Sequence, residues 1–145
     1  MPTKFLSHAD LGTVARLTVL VAIDLIIRNG RDEVLLGLRN NEPAKGCYFV
    51  PGGMVMKNER LAEAFTRLVK SETDHNASFT EARLLGAFEH FYDTNRSGDA
   101  GYGTHYVVLG YEFKMVRCRR TESRRPAQRT ALVACGRAVG IGSCA

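Results

Sequence analysis

The pattern of apolar and polar positions along the chain predicts several strands and one long helix. Residues 18–28 form a nearly continuous apolar run that Asp24 interrupts, which is typical of a strand covered on both faces. A short helix is expected at residues 7–15, because the side chain of Ser7 can cap its first turn. Further strands are expected where apolar segments lie between turn-forming residues, at 33–39, 47–50, 83–92 and 104–115.

The clearest helical pattern spans residues 59–73. Five apolar residues recur there at the spacing of one helix face: Leu61, Ala64, Phe65, Leu68 and Val69. Asn58 is the expected N-cap, and Glu59 would then lie in the first turn, where the helix dipole favours an acid. Because strands precede and follow this helix, we expect an α/β fold in which helices pack on a mixed sheet.

The composition of the chain changes at residue 117. Of 145 residues, 45% are hydrophobic and 24% are charged, which is typical of a globular domain rather than of a disordered chain. The formal net charge is +5, and residues 117–145 account for this excess because they contain seven arginines and one acid. We therefore expect one domain at residues 1–116 and a poorly packed basic tail at 117–145. The tail is either a flexible extension or a sequence never selected to pack, as after a shifted reading frame.

The same features argue against two classes of partner. No apolar run approaches the roughly 20 residues needed to cross a bilayer, and the first residues lack a secretory pattern. We therefore expect a cytoplasmic protein that does not bind membranes. Clustered arginines can neutralise phosphates, but no aromatic residue lies among those of the tail, so nucleic acid is not an expected partner.

Charged residues recur at a characteristic spacing from Gly53 onward. Five residues separate Gly53 from Glu59, seven separate Glu59 from Arg67, and Glu72 follows after four more. The spacing resembles the Nudix box, Gly-x5-Glu-x7-Arg-Glu-U-x-Glu-Glu-x-Gly-U, in which U is a bulky apolar residue. Four positions depart from it: Leu68, Ser71, Asp74 and His75.

Glu72 falls within the apolar stripe of the helix when its position is projected at about 100° per residue. A carboxylate that faces the core is costly unless it is paired or bound to a cation. We therefore favour a metal-binding role for Glu72. The alternative is that Glu72 lies at a frayed helix end and turns into solvent.

Segments outside the box resemble the GDP-mannose mannosyl hydrolases, which are one branch of the Nudix family. The similar segments are 35–39, 43–53, 90–93, 97–98 and 104–110. Leu68 and Ser71 also match that branch, and the resemblance covers residues 3–115. It implies an α/β/α sandwich of the Nudix type whose C-terminal part is atypical or incomplete.

The resemblance implies hydrolysis of a nucleotide sugar, a GDP-hexose of the GDP-mannose type. Water would attack C1 of the hexose, GDP would leave, and Mg²⁺ would be the cofactor that neutralises the diphosphate. Two alternatives stay open, namely a Nudix pyrophosphohydrolase of another nucleoside diphosphate derivative and a non-catalytic nucleotide-binding protein. A homodimer is also implied, with Leu11 in a region that the family uses for dimer contacts.

The same resemblance implies roles for seven residues. Those implied to bind Mg²⁺ are Gly52, through its backbone carbonyl, and Glu72. Those implied to be catalytic are Arg39, Arg67 and Tyr106. Those implied to bind the substrate are Asp24, Arg39, His90 and Tyr106.

Most of these roles have a simpler structural alternative. Arg39 would stabilise the departing diphosphate, or it is an exposed arginine at a strand end. Arg67 would orient acids of the helix, or it pairs with the acid one turn earlier on the helix surface. Asp24 would contact the hexose, or it accepts backbone hydrogen bonds inside its strand. His90 and Tyr106 would line the site, or they only pack within the sheet.

Two departures from the family bear on activity. The branch has an arginine directly after the second glycine of the loop, where this chain has Met54. It also has a Gln-His pair after the last matched strand, which supplies a magnesium ligand and the general base. Here the tail replaces that stretch, Gln128 is the single glutamine of the chain, and no histidine follows His105. Because a general base typically contributes about 10²–10⁴-fold, weak activity or none is expected.

Overall fold

The computed structural model describes residues 5–115 and the backbone of residues 128–134. The helices are α1 (His8–Leu17) and α2 (Leu61–Thr73), and a short 3₁₀ turn covers Phe79–Glu81. The strands are β1 (Leu20–Arg28), β2 (Glu33–Arg39), β3 (Tyr48–Phe49), β4 (Gly52–Met54), β5 (Arg83–Tyr92), β6 (Thr104–Lys114) and β7 (Gln128–Ala134). The rest of the predicted tail, at 117–127 and 135–145, lies outside the described residues.

The strands form one mixed sheet. Five of them follow the order β3-β2-β1-β6-β5, while β4 pairs with β1 and β7 pairs with β2. β1 and β6 run parallel from Leu20↔Tyr106 to Arg28↔Lys114, whereas the other pairs are antiparallel. The expected α/β class with a mixed sheet is therefore confirmed.

The hydrophobic core lies between α2 and one face of the sheet. Alternate residues of β1 point toward α2, so Ile23, Leu25 and Ile27 are almost fully buried. The helix contributes four buried apolar residues: Ala64, Phe65, Leu68 and Val69. The apolar stripe predicted from the sequence packs as expected, apart from Leu61, which is 38% exposed at the start of the helix.

α2 begins two residues later than the sequence pattern predicts. Asn58 has a positive φ of 66° in the preceding turn, so the prediction that it is the N-cap is wrong. Arg60 takes that position, and its backbone N–H donates to the Glu63 carboxylate at 2.8 Å. Glu59 consequently precedes the helix instead of lying in its first turn.

Strand prediction succeeds where the apolar segment is long. β2 and β5 have the predicted bounds, and β1 and β6 differ from the prediction by one or two residues. β4 is not predicted, because Gly52, Gly53 and Met54 carry no strand pattern and backbone pairing with β1 creates the strand. β7 lies inside the segment predicted as a basic tail, and it pairs along the whole of β2. Part of that segment therefore belongs to the sheet, which its composition does not indicate.

α1 begins as its cap residue predicts. The Ser7 hydroxyl oxygen accepts a hydrogen bond from the Asp10 backbone N–H at 3.1 Å. No residue of α1 is buried, and the Arg16 guanidinium lies 5.7 Å from the centre of the Tyr102 ring in the loop after β5. Within the described part of the chain, no helix is both long enough and apolar enough to cross a membrane.

Phe65→Ala is expected to lower the free energy of unfolding by about 3–5 kcal/mol, because a fully buried ring is removed. The Phe65 ring meets the rings of Phe79, Tyr111 and Phe113 edge-on. Phe91→Ala is the matched control, since Phe91 is 68% exposed and its loss should cost less than about 1 kcal/mol. Urea unfolding measures both costs. Equal costs would contradict the assignment of the core to the α2 face.

Candidate active site

A cleft originates where two strands share one edge of β1. β6 occupies the other edge of β1 along the length of the strand, so β2 and β4 must pair on the same side. β2 pairs there at Arg28↔Val34, and β4 pairs near the middle of β1 at Asp24↔Gly52. β2 and β1 therefore separate beyond the first pair, and the cleft opens between them beside Asp24.

This cleft has a volume of about 690 Å³ and extends from the sheet to α2. All seven residues to which the resemblance gives a role line it: Asp24, Arg39, Gly52, Arg67, Glu72, His90 and Tyr106. They belong to six different helices and strands. The fold thus brings together side chains that are far apart in the sequence, while their individual roles stay predictions.

Gly52 and Gly53 occupy positions that exclude a side chain. A Cβ on Gly52 would collide with the backbone carbonyl oxygen of Ile23, and a Cβ on Gly53 would lie 2.7 Å from the Leu68 side chain. The first collision is with backbone, so no side-chain rotation can relieve it. The double glycine therefore allows β4 to fit between β1 and α2.

The outer edge of β4 presents backbone carbonyls toward α2. In the β1–β4 ladder the Leu25 N–H donates to the Pro51 carbonyl at 2.8 Å. Because hydrogen-bonded positions alternate in an antiparallel ladder, the carbonyls of Gly52 and Met54 point away from β1. The Met54 carbonyl accepts a hydrogen bond from Arg67 Nη2 at 2.9 Å, so this edge faces the helix.

Arg67 forms a bidentate ion pair with Glu59. Arg67 Nε and Nη2 lie 2.6 and 2.8 Å from the two oxygens of the Glu59 carboxylate, and the Glu59 side chain is only 3% exposed. The backbone N–H of Met56 donates to the same carboxylate at 2.9 Å. The hydrogen bonds from Arg67 hold the pKa of Glu59 below its usual value, although burial opposes them. The alternative that Arg67 pairs with Glu63, the acid one turn earlier, is therefore wrong.

Arg67→Gln is expected to lower the free energy of unfolding by about 2–4 kcal/mol at neutral pH, because it leaves the buried Glu59 carboxylate unpaired. The folded-state pKa of Glu59 is lowered, so this stabilisation is present above the ordinary glutamate pKa and is lost as the pH falls through the folded value. The cost of the substitution should therefore shrink in acid.

Urea unfolding at neutral pH and at about pH 3 measures this dependence. Arg31→Gln is the matched control, because Arg31 is exposed in the turn between β1 and β2. A cost of Arg67→Gln that is the same at both pH values would contradict a role for the charge of Glu59.

Asp24 faces the cleft from the middle of β1. Its carboxyl oxygen would lie 3.1 Å from a Cβ built on Gly52, so the carboxyl group lies against the double glycine. Burial raises the pKa of Asp24 to about 6, and the nearby positive charge of Arg39 opposes this shift. The carboxylate form of Asp24 is therefore the costly one in the free protein.

Asp24→Asn is expected to stabilise the protein at neutral pH by roughly 1–3 kcal/mol and to lose this advantage in acid. Because the folded-state pKa of Asp24 is raised to about 6, the folded protein binds more protons than the unfolded chain between about pH 4 and that value. Wild-type stability therefore falls as the pH rises through this range, and asparagine cannot titrate. Unfolding free energies measured across this range check the difference, with Asp93→Asn at an exposed loop position as the control. Parallel pH profiles for wild type and Asp24→Asn would contradict it.

Aromatic side chains form one wall of the cleft. His90 and Tyr92 lie on the same face of β5, and Tyr106 of β6 is directly opposite His90. The Tyr92 hydroxyl lies 3.3 Å from His90 Nδ1, and the rings of Phe49 and His90 meet edge to face at 6.0 Å. Burial lowers the pKa of His90 and raises the pKa of Tyr106. Both side chains are therefore neutral hydrogen-bonding groups at neutral pH.

Arg39 lies next to this aromatic wall at the end of β2. Its guanidinium carbon is 5.8 Å from the centre of the Phe49 ring, and its Nε is buried with no hydrogen-bond partner among residues 5–115. Its positive charge acts to lower the pKa of Asp24, Tyr92 and Tyr106. Because a buried donor without a partner is costly, this arrangement favours an anionic ligand at Arg39.

Among the other residues that line the cleft are three to which the sequence analysis gives no role and which are aromatic or charged: Phe49, Tyr92 and Arg96. The position of Tyr92 in the cleft could be predicted from the sequence, because Tyr92 follows His90 by two positions in a predicted strand and alternate residues of a strand share one face. Phe49 lies in a two-residue strand and Arg96 lies in a loop, so no periodicity marks either of them.

α2 and β4 pass each other in opposite directions. Arg67 donates to the Met54 carbonyl, and one residue later along the helix Leu68 reaches the position of Gly53. Because the two elements run antiparallel, the C-terminal turn of α2 approaches Gly52, the first residue of β4. Glu72 lies in that turn and lines the cleft.

This edge of the cleft offers oxygen donors to a divalent cation. They are the Glu72 carboxylate and the Gly52 carbonyl, which the ladder directs toward the helix. Among the residues that the structure describes, no group of three or more His, Cys, Asp or Glu side chains is arranged as a metal site. Mg²⁺ commonly binds one or two protein carboxylates and completes its shell with water and phosphate oxygens. The two donors therefore fit a Mg²⁺ ion that binds together with a diphosphate.

Comparison with known proteins assigns the chain to a family. The NUDIX domain family matches residues 18–135, a range that includes every strand from β1 to β7. The chain belongs to the NUDIX domain family. The resemblance drawn from the box is therefore confirmed at the level of the family, and this membership supports a hydrolase.

Relatives of known sequence and structure agree with this assignment. The chain is 40% identical to the low-salt glycan biosynthesis protein Agl8 of Haloferax volcanii over 111 residues. This alignment covers 77% of this chain and 69% of that protein. A MutT NUDIX hydrolase from Burkholderia pseudomallei superposes with a TM-score of 0.65 and 24% identity, over 81% of this chain and 84% of that one. The NUDIX domain of Shewanella oneidensis NrtR, solved with ADP ribose, gives a TM-score of 0.60 and 19% identity over 89% and 84% of the two chains. These structures share the fold.

Proposed function

We propose that this protein hydrolyses a nucleotide sugar of the GDP-mannose type to GDP and the free hexose, with Mg²⁺ as cofactor. The observation that carries the proposal is the cleft that gathers acidic, cationic and aromatic side chains from six elements. Family membership supports a hydrolase of a nucleoside diphosphate derivative, and the similarity to a glycan biosynthesis protein supports one that contains a sugar.

In this proposal Arg39 binds the diphosphate. Its buried Nε has no protein partner among the described residues, so a phosphate oxygen would satisfy it. A guanidinium stays charged at any working pH and can offer two parallel hydrogen bonds to a phosphate. As the bond to the hexose breaks, negative charge grows on the diphosphate, and the fixed charge of Arg39 stabilises it.

The Glu72 carboxylate and the Gly52 carbonyl would hold Mg²⁺. When bound there, the ion would neutralise charge on the leaving diphosphate. Arg67 acts on this site indirectly, because it is engaged by Glu59 and by the Met54 carbonyl and thereby keeps β4 against α2. We therefore assign Arg67 as a positioning residue that sets the spacing of the two oxygen donors.

The hexose would lie against Asp24, His90 and Tyr106. Sugars present both hydroxyl groups and apolar C–H faces, and this wall combines aromatic rings with neutral hydrogen-bonding groups. The Asp24 carboxyl group can accept hydrogen bonds from sugar hydroxyls, which would compensate its burial. The roles implied by the resemblance for these three residues are therefore chemically consistent with their surroundings.

Turnover is expected to be slow. The sequence lacks the Gln-His pair of the related branch, and Gln128 instead begins β7, where it is opposite Arg39 in the ladder with β2. A general base typically contributes about 10²–10⁴-fold to the rate, so its loss leaves leaving-group stabilisation and positioning as the main contributions.

A Nudix pyrophosphohydrolase of another nucleoside diphosphate derivative is the second candidate. This candidate is favoured by a similarity to the ADP-ribose pyrophosphatase of Methanocaldococcus jannaschii. The two sequences are 45% identical over 53 residues, which cover 37% of this chain and 31% of that protein. Hydrolysis of GDP-mannose in ¹⁸O-labelled water, read by mass spectrometry of the products, separates the two reactions. Label in the free hexose is expected from attack at C1. Label in a phosphate product would overturn the proposal in favour of attack at phosphorus.

Glu72→Gln is expected to abolish Mg²⁺-dependent turnover and to weaken Mg²⁺ binding in the presence of GDP by about tenfold or more, because the charged ligand becomes a neutral amide. Glu63→Gln is the matched control on the same helix, where Glu63 accepts a backbone hydrogen bond outside the cleft. Steady-state hydrolysis and calorimetric titration with Mg²⁺ measure the two effects. Unchanged Mg²⁺ affinity in Glu72→Gln would contradict the metal role even if turnover is too slow to measure.

A further inference from the structure

We propose that Arg96 is a second anion-binding residue of this cleft and holds the diphosphate of the substrate from the β5–β6 side. The inference rests on the proposed function, because it takes the substrate to contain a diphosphate. It concerns the loop at residues 93–103, which neither the box nor the strand pattern marks as functional.

Arg96 and Arg39 enter the same cleft from different parts of the fold. Arg39 ends β2, whereas Arg96 lies in the loop between β5 and β6, and both line the cleft. Tyr106 lines the same cleft, and both positive charges act to lower the pKa of its phenol. Two cations from opposite ends of the β2-β1-β6-β5 sheet thus converge on one region of the cleft.

The three arginines of the cleft differ in what they contact. Arg67 is held by Glu59 and by a backbone carbonyl, whereas Arg39 lies over Phe49 near the Asp24 carboxyl group and keeps a buried Nε without a hydrogen-bond partner among residues 5–115. Arg96 is exposed, and within residues 5–115 it makes no hydrogen bond or ion pair. Its charge is therefore available to a ligand without loss of a protein contact.

The backbone that carries Arg96 is fixed by its neighbour Asn95. Asn95 is 2% exposed, and its side-chain amide donates to the carbonyls of Asp99 and Tyr102 at 2.8 Å each. Its side-chain oxygen accepts from the Asp99 N–H at 3.2 Å. A buried amide with these partners holds the loop in one conformation.

The two ends of the loop are fixed as well. The Thr94 hydroxyl donates to the Glu42 carboxylate at 2.9 Å, and the Thr104 hydroxyl donates to the Thr94 carbonyl at 2.9 Å. A Cβ on Gly103 would collide with the Tyr92 carbonyl oxygen, so this end packs tightly against β5. Because the backbone is ordered before a ligand arrives, binding has to order only the Arg96 side chain.

Binding of GDP and of guanosine, measured by calorimetry without Mg²⁺, tests the inference on the full chain. Arg96→Gln is expected to weaken GDP binding by roughly five- to tenfold, which is the low end for an exposed charge-assisted hydrogen bond. Guanosine carries no phosphate, so its affinity should not change. Arg31→Gln, at an exposed position outside the cleft, is the matched control and should leave both affinities unchanged.

Three further measurements separate a ligand contact from a structural role. GDP affinity of the wild type should fall with added salt more steeply than that of Arg96→Gln, because an exposed charge is screened. Arg96→Lys should recover part of the lost affinity by restoring the charge. Asn95→Ala should weaken GDP binding although Arg96 is present, because the loop loses its buried amide.

GDP affinity in Arg96→Gln within twofold of wild type would overturn the inference, and so would equal losses for GDP and guanosine. A wild-type protein that does not bind GDP would overturn it too. If GDP binding depends on Arg96 but GDP-mannose is not hydrolysed at C1, the anion site stands and the proposed reaction fails. The two proposals can therefore fail separately.

Discussion

The buried ion pair between Glu59 and Arg67 is the interaction on which the cleft depends. Its two short hydrogen bonds join α2 to the turn that precedes the helix, and Arg67 adds a third hydrogen bond to the Met54 carbonyl of β4. Removing one partner of such a pair is costly because the other charge stays buried, but the intact pair adds little over apolar residues of similar volume, because both charges must be desolvated. Its geometric effect is larger, because it fixes the Arg67 side chain, whose hydrogen bond to the Met54 carbonyl holds the outer edge of β4 against the middle of the helix. The proposed metal donors lie along that same seam.

The position of β4, which Arg67 contacts through the Met54 carbonyl, also explains why β1 and β2 separate. β4 pairs with β1 at residues where β2 would otherwise continue, and the double glycine lets it approach β1 and α2 at once. β2 is displaced outward and its last residue, Arg39, then lies at the side of a cleft instead of over β1. One local feature of the sequence, two glycines without side chains, thus produces both the proposed metal edge and the position of the arginine opposite it.

The sequence predicts the elements that have a periodic apolar pattern or a known motif, and it does not predict the features that depend on tertiary contacts. The α2 stripe and the bounds of β2 and β5 follow from apolar spacing, and the residues of the box identify the family. Glu59 shows the limit: the sequence pattern predicts it in the first turn of the helix, yet it lies before the helix because of the turn around Asn58. The composition of residues 117–145 predicts a tail and hides β7, because backbone hydrogen bonds with β2 need no particular side chains. Arg96 has no pattern at all, because a buried asparagine and long-range hydrogen bonds place its loop.

The distribution of charge in the cleft bears on which bond is cleaved. Among the described residues that line it, the carboxylates are Asp24 on β1 and Glu72 on α2, and they belong to different walls. Attack at phosphorus is helped by several carboxylates that hold metal ions around the nucleophilic water, whereas attack at C1 requires that charge on the leaving diphosphate be neutralised. A cleft with one carboxylate at the proposed metal edge and arginines around the remaining space fits the second requirement better than the first. In the proposed reaction, the same distribution of charge would contribute mainly by positioning the diphosphate rather than by activating water.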